Sequence, residues 1–152
     1  MRDCQLSGIH AYLPHRGLMC LLDRLIEVDV EHAVSEVDTP SSGLFVSDGK
    51  VPAWVGVEYM AQTVAAWTGN RARLRGGRPR VGFLLGTRRY STECSWFDSG
   101  KTLRIEARCE FISDNGLGMF DCRILLGADI LATARISVFE PLDRTQSGEG
   151  SI

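Results

Sequence analysis

Most of the chain alternates between apolar and polar positions, as expected for strands with one buried face. Two such runs, LLDRLIEVDV and AVSEVDT, meet at Glu31-His32, which predicts a pair of antiparallel strands. Four further runs follow the middle of the chain: Val81 to Tyr90, Thr102 to Ser113, Met119 to Leu126 and Ile130 to Phe139. The residues SDNG and GAD between the last three runs have turn chemistry, and GAD is short enough for a tight hairpin.

The segment from Pro52 to Arg73 breaks this alternation and predicts a long helix. Pro52 suits the first turn, where its missing N–H costs little. Apolar residues occur nearly all round the helix, which indicates a buried helix rather than one lying on the surface. Gly69 is expected to interrupt it or to end its buried part. A short helix is also expected from Gln5 to Leu13, before Pro14.

Strands do not alternate with helices in this order, so a parallel doubly wound sheet is disfavoured. An antiparallel sheet wrapped round one apolar helix is the better prediction, which is an α+β fold. We expect one domain over residues 1–142 and a flexible tail over residues 143–152, where no apolar pattern remains.

Composition narrows the class of protein. The 152 residues carry 17 Lys+Arg against 19 Asp+Glu, a balance that disfavours nucleic-acid binding through bulk charge. The longest apolar segment is shorter than a membrane span and contains a carboxylate. The five cysteines are odd in number and lack CxxC spacing, so a disulfide framework is not expected. These features, together with an N-terminus unlike a secretory signal, favour the cytoplasm.

Glu58 is the main candidate for chemistry because it lies inside the most apolar segment. A carboxylate that loses hydration there suits a general acid or base, unless it emerges at the helix surface or pairs with an arginine. Gln62, one turn later, is placed to hold that carboxyl group or to donate to a substrate carbonyl. His15, beside Pro14, is a second candidate for proton transfer, or simply a loop histidine bonded to backbone. No metal-binding motif is evident.

Arginine supplies fifteen of the seventeen basic residues, and several follow the predicted helix closely. Arg71, Arg75 and Arg78 are candidates for docking an acidic protein or a phosphate-bearing arm, since guanidinium groups pair well with carboxylates and phosphates. The alternative is an ordinary solvated loop.

Two motifs resemble the 3-hydroxyacyl-(acyl carrier protein) dehydratases. The run Tyr12-Leu13-Pro14-His15-Arg16, followed by Leu21-Leu22-Asp23-Arg24, resembles their LPHR and LLVDR opening. The run Gly56-Val57-Glu58-Tyr59-Met60-Ala61-Gln62 resembles their helix motif, in which E-x-x-A-Q follows a glycine and apolar residues. The order and spacing of the elements also resemble the family over roughly residues 5 to 140. The run PAWVGVEYMAQ looks closest to the variants from aryl-polyene and related polyketide gene clusters. The resemblance implies a hotdog fold, and dimers whose active sites are shared between protomers.

The sequence also departs from this family at the position of the catalytic histidine. The family's catalytic histidine lies in a GHFP motif about fourteen residues before the helix glutamate, whereas the segment SSGLFVSDGKVPAW contains no histidine. Three interpretations remain: a dehydratase in which His15 acts as base and Glu58 as acid, a partner subunit supplying part of a shared site, or a hotdog thioesterase. The first is our leading expectation.

The leading expectation has further consequences for ligands and partners. It assigns Glu58 and His15 to catalysis, with Gln62, Gly56 and Arg16 as substrate contacts and free backbone N–H groups near Gly56 polarising the thioester. The substrate would be an acyl chain on the phosphopantetheine of acyl carrier protein, accepted by an apolar tunnel beside the helix, with no other cofactor. The chain would form a homodimer, or a heterodimer with another hotdog subunit.

Overall fold

The computed structural model describes residues 20–74, 76 and 83–139, apart from the side chains of residues 83–85. Several predictions lie outside these residues: the helix from Gln5 to Leu13, the tail over 143–152, and most of the RGGRPR loop. Within the described residues, no helix is long and apolar enough to span a bilayer.

One helix and eight strands make up the described residues, together with a single 3-10 turn. The strands are β1 (Arg24–Val28), β2 (His32–Asp38), β3 (Lys50–Pro52), β4 (Phe83–Thr92), β5 (Trp96–Asp98), β6 (Thr102–Ile112), β7 (Leu117–Leu126) and β8 (Asp129–Phe139). The 3-10 turn covers Ala53–Val55, and helix α1 covers Gly56–Leu74.

Six strands form one antiparallel sheet in the order β1-β2-β6-β7-β8-β4. Its inner face is apolar because every second residue of each strand points toward α1. Fully buried examples are Leu103, Ile105, Phe120, Ile124 and Ile136. The outer face carries the charged residues of the same strands. The predicted α+β fold and the two groups of strands are therefore confirmed.

Helix α1 packs its buried face on this sheet. Trp67 meets Phe120 edge-on with ring centroids 5.2 Å apart, and Thr63 hydrogen-bonds Ser35 of β2 at 2.7 Å. Gly69 is buried within the helix, so the expected interruption is wrong. The buried part does end there, since the side chains from Asn70 onward are half-buried or exposed. Continuous packing of the preceding turns keeps the helix intact through this glycine.

Two short strands were not predicted from the pattern. β3 and β5 pair with each other in a separate two-stranded sheet, with Val51 opposite Phe97. Runs of three residues are too short to show alternation, and β3 lies at the end of a segment rich in turn formers. Both central residues of this small sheet are buried, so it seals the core where α1 begins.

We expect the packing of α1 on the sheet to supply much of the free energy of unfolding. Met60→Ala should lower that free energy by about 2–5 kcal/mol, because Met60 is fully buried and its truncation leaves a cavity. Leu74→Ala, at a position 71% exposed on the same helix, is the matched control and should cost far less. Urea unfolding of both variants measures the difference, and equal losses would contradict this account of the core.

Candidate active site

The candidate site is built at the start of α1, where a tyrosine of the sheet anchors the helix. The Tyr90 hydroxyl donates to the carbonyl of Ala53, and half-burial raises the pKa of Tyr90 to about 12. Gly56 lies beneath this contact. A Cβ on Gly56 would stand 2.8 Å from Ile124 Cδ1 and closer still to the Tyr90 hydroxyl. The position therefore favours glycine, because any side chain there would have to displace the Tyr90 hydroxyl and the end of the Ile124 side chain.

Gly56 itself cannot donate freely to a substrate. Its N–H is directed at the carbonyls of the preceding 3-10 turn, Ala53 and Trp54. The free N–H groups expected near Gly56 therefore do not include that of Gly56 itself, because the 3-10 turn supplies acceptors upstream of the helix.

Glu58 lies in the first turn of α1 and is half-buried. Its Oε1 accepts a hydrogen bond from Gln62 Nε2 at 3.2 Å. The expectation of a carboxyl group buried within the apolar segment is wrong, because the side chain of Glu58 is only half-buried. Partial exposure leaves the carboxyl group accessible to a ligand.

Gln62 is completely buried and joins two segments of the chain. Its Oε1 accepts the backbone N–H of Leu21 at 2.9 Å, while its Nε2 donates to Glu58. The predicted hydrogen bond between the amide and the carboxyl group is therefore present. The contact with Leu21 was not predicted, since a pairing across 41 positions has no local sequence signal. Gln62 thus sets both the direction of Glu58 and the position of the segment before β1.

A small cavity of about 250 Å³ lies beside the same helical turn. Tyr59, Val55, Phe45 and Leu21 contribute to its lining, together with the carboxyl group of Asp23. Asp23 Oδ2 accepts the backbone N–H of Asp38 at 2.7 Å. Burial, reinforced by the negative charge of Asp23, raises the pKa of Tyr59 to about 12. The phenol is therefore neutral and can donate a hydrogen bond near neutral pH.

An exposed apolar group borders the mouth of this cavity and was not predicted. Phe45 and Trp54 meet edge-on with ring centroids 5.5 Å apart, and Leu44 lies next to them. Trp54 is 61% exposed and Leu44 is 47% exposed. Leu44 stands fourteen residues before Glu58, at the spacing where the resemblance places a histidine. Phe45 has a φ of +68°, a left-handed conformation that is uncommon for an aromatic residue.

The described residues include one histidine, His32, which begins β2. Its Nε2 is 2.8 Å from Glu27 Oε2 and its Nδ1 is 3.1 Å from Asp29 Oδ1. These three side chains form a group whose ligand atoms lie within 4.8 Å of one another, at the exposed turn between β1 and β2. The hydrogen bonds already account for both ring nitrogens. His15 and Arg16 lie outside the described residues.

The arginines divide between two surfaces of the molecule. Arg71 lies over the ring of Trp67, with its guanidinium carbon 5.4 Å from the ring centroid. Arg75 and Arg78 lie outside the described residues. Arg88 stands opposite Arg135 on the outer face of the sheet, and Arg89 is close to the same residues. These last two therefore do not extend the group that follows α1.

A helix wrapped by an antiparallel sheet, with a carboxyl group in its first turn, defines the hotdog class of proteins. Within that class, a family model for ApeP-like dehydratases (ApeP dehydratase) matches residues 7–148. The chain therefore belongs to the ApeP-like dehydratase family. No curated protein matches it.

Solved structures agree with this assignment. A chain of the dehydratase heterocomplex ApeI:P from Xenorhabdus doucetiae is similar with a TM-score of 0.81 and 28% identity, over 90% of this chain and 92% of that one. Cj0977, a sigma28-regulated virulence protein from Campylobacter jejuni, has a TM-score of 0.68 and 14% identity, over 89% and 97% of the two chains. The smu.793 protein from Streptococcus mutans UA159, bound to acetyl CoA, has a TM-score of 0.64 and 12% identity, over 84% and 94%. The last two show the shared fold alone.

Replacing Gln62 by Leu should lower the free energy of unfolding by about 1–3 kcal/mol, because the buried N–H of Leu21 loses its acceptor. The same change releases Glu58 and should reduce any activity that depends on its direction. Asn70→Leu is the matched control, since Asn70 is a half-buried amide on the same helix. Urea unfolding compares the two variants, and a Gln62→Leu variant as stable as the control would contradict the bridging role.

Proposed function

We propose that this chain takes part in dehydrating a 3-hydroxyacyl thioester by supplying Glu58 to a site that a second hotdog subunit completes. Two observations together support this proposal. Glu58 is accessible and is held in one direction by Gln62, while Leu44 occupies the position where the resemblance places a histidine. One half of an acid–base pair is thus present among the described residues.

The chemistry needs two groups acting on adjacent carbons. A base removes the proton from C2 of the acyl group. Glu58 acts as the acid and donates a proton to the hydroxyl group on C3, which then leaves as water. The electron pair of the broken C2–H bond forms the C2=C3 double bond, giving the 2-enoyl thioester. Gln62, bonded to Glu58, keeps the carboxyl group directed during this exchange.

The edge of the sheet supports a second subunit as the source of the base. β4 pairs with β8 on one side, and no described strand pairs with its other side. Tyr90 of β4 touches the carbonyl of Ala53, so this edge runs beside the turn that carries Glu58. A subunit adding its sheet to β4 therefore approaches that turn. The heterocomplex named for the similar Xenorhabdus structure supports such a partner.

His15 is the alternative base, and one hydrogen bond supports this alternative. The hydrogen bond between Gln62 and the backbone of Leu21 holds Leu21 beside the turn that carries Glu58. Five residues lie between His15 and Leu21 in the sequence, a span of at most about 20 Å when extended. If His15 acts, the chain is a dehydratase on its own.

We further propose that the substrate arrives on the phosphopantetheine arm of an acyl carrier protein in the cytoplasm, with no other cofactor. Arg71 lies in the last turn of α1, and Arg75 and Arg78 follow the helix in the sequence, so these arginines offer guanidinium groups to an acidic carrier. The stacking of Arg71 on Trp67 holds one of these groups in place.

Glu58→Gln should lower kcat for forming enoyl product from 3-hydroxyacyl carrier protein by about 100-fold or more, because the amide cannot donate the proton. The assay compares the chain alone, the chain with a second hotdog subunit, and each of these with His15→Ala. Glu93→Gln, at an exposed position, is the control. If the chain alone forms the product and His15→Ala abolishes that turnover, the chain is a stand-alone enzyme and the proposal of a shared site is wrong. Undiminished turnover by Glu58→Gln, or release of free thiol, would overturn the dehydratase role of this carboxyl group.

Replacing Arg75 and Arg78 together by Glu should weaken carrier-protein binding by at least tenfold, since two attractive contacts become repulsive. The control makes the same change in charge at Lys50 and Lys101, which are both exposed. Calorimetric titration with the carrier protein measures both affinities. Unchanged affinity in the Arg75 and Arg78 variant would remove this docking surface.

A further inference from the structure

The outer face of the six-stranded sheet carries charges in an ordered pattern that the proposed dehydration does not use. One row of directly opposed residues runs across five strands: Arg88 of β4, Arg135 of β8, Asp121 of β7, Arg108 of β6 and His32 of β2. The adjacent row includes Arg123 of β7 and Glu106 of β6. These rows border a shallow groove of about 880 Å³.

The charges in the middle of this face are only partly satisfied. Glu106 accepts from both Arg104 and Arg123, at 2.8 Å and 2.5 Å. Arg135 lies 3.1 Å from Asp121. Arg108, in contrast, has no carboxylate oxygen within 4.0 Å among the described residues. A free guanidinium group therefore stands in the middle of the face.

The arrangement is self-complementary about a line between β6 and β7, the two central strands. Consider two copies with their outer faces together and a two-fold axis along that line, in the plane between the two sheets. The rotation places β6 of one copy opposite β7 of the other. Arg108 then faces Asp121 of the second copy, because the two occupy one row. Glu106 faces Arg123 by the same operation.

The edges of the face also match under this rotation. The two-fold axis lays β2 of one copy over β8 of the other. Arg135 then meets the group formed by His32, Glu27 and Asp29, which carries a net negative charge. The rotation thus opposes unlike charges in two central rows, the row of Arg108 and Asp121 and the row of Glu106 and Arg123.

We propose that the outer face of the sheet packs against the same face of a second copy of this chain. This contact is separate from the β4 edge and does not depend on the proposed function. Six strands about 4.8 Å apart and about seven residues long give roughly 650 Å² per copy, or about 1,300 Å² in total. That area lies at the low end for specific interfaces, so the association is weak, and its polar character makes it sensitive to salt.

Sedimentation of the full chain at 50 mM and 1 M NaCl tests the association. The weight-average mass should approach twice its high-salt value at 50 mM NaCl. Arg108→Asp and Asp121→Arg should each abolish the increase, because each places like charges opposite one another across the two-fold axis. An equimolar mixture of the two variants should restore it, since every central contact in the mixed pair again joins unlike charges.

The mixture separates contact between copies from contact within one chain. Arg108 and Asp121 are also neighbours in the same sheet, and mixing two variants cannot repair a pair inside either chain. Thermal unfolding checks the fold of each variant. Glu106→Arg and Arg123→Glu repeat the exchange if an Asp121 or Arg108 variant unfolds. Lys50→Glu with Lys101→Glu is the control, since both lysines are exposed and lie off the outer face.

Three results would overturn the proposal. The first is a native chain whose mass is the same at both salt concentrations. The second is a single variant, Arg108→Asp or Asp121→Arg, that associates like the native chain. The third is a mixture that stays at the mass of its separate components.

Discussion

The helix and the sheet depend on each other because neither can bury its apolar surface alone. Helix α1 has apolar residues on most of its circumference, and the inner face of the sheet is apolar along every long strand. An antiparallel sheet that curves round one helix satisfies both at once. The remaining polar groups inside, such as Ser35 and Thr63, are accommodated because they hydrogen-bond each other across the contact.

This burial also decides where chemistry can occur. Most faces of α1 are covered by the sheet, so a ligand has access only where the helix begins and along its uncovered side. Glu58 lies there, and the buried amide of Gln62 supports it from within. The anchoring of the helix start by Tyr90 places this turn beside the β4 edge.

The two faces of the sheet have different physical roles because adjacent residues of a strand point in opposite directions. The inner face supplies the core and the outer face carries the charges. An ion cluster on that outer face also joins β1, β2 and β6, where Arg24 binds Glu36 at 2.7 Å and Asp38 at 2.5 Å, and Thr102 binds Asp38 at 2.9 Å. The same alternation that builds the core thus produces an ordered array of unlike charges.

Much of this protein follows from the sequence by itself. Alternation of apolar and polar positions predicted the six long strands, and the broad apolar character of residues 53–67 predicted the buried helix. The motifs around Glu58 and Leu13-Pro14-His15-Arg16 indicated the dehydratase class. These features are readable because each depends on residues that are close together in the chain.

The tertiary structure alone decided the features that depend on distant residues. The hydrogen bond between Gln62 and Leu21, the approach of Tyr90 to Gly56, and the opposition of Arg108 to Asp121 each require packing or strand register. The exposure of Glu58 also required the structure, because it depends on which helix face meets the sheet. Local patterns specify secondary structure, whereas hydrogen bonds and charge pairs are set by contacts between elements that the chain keeps far apart.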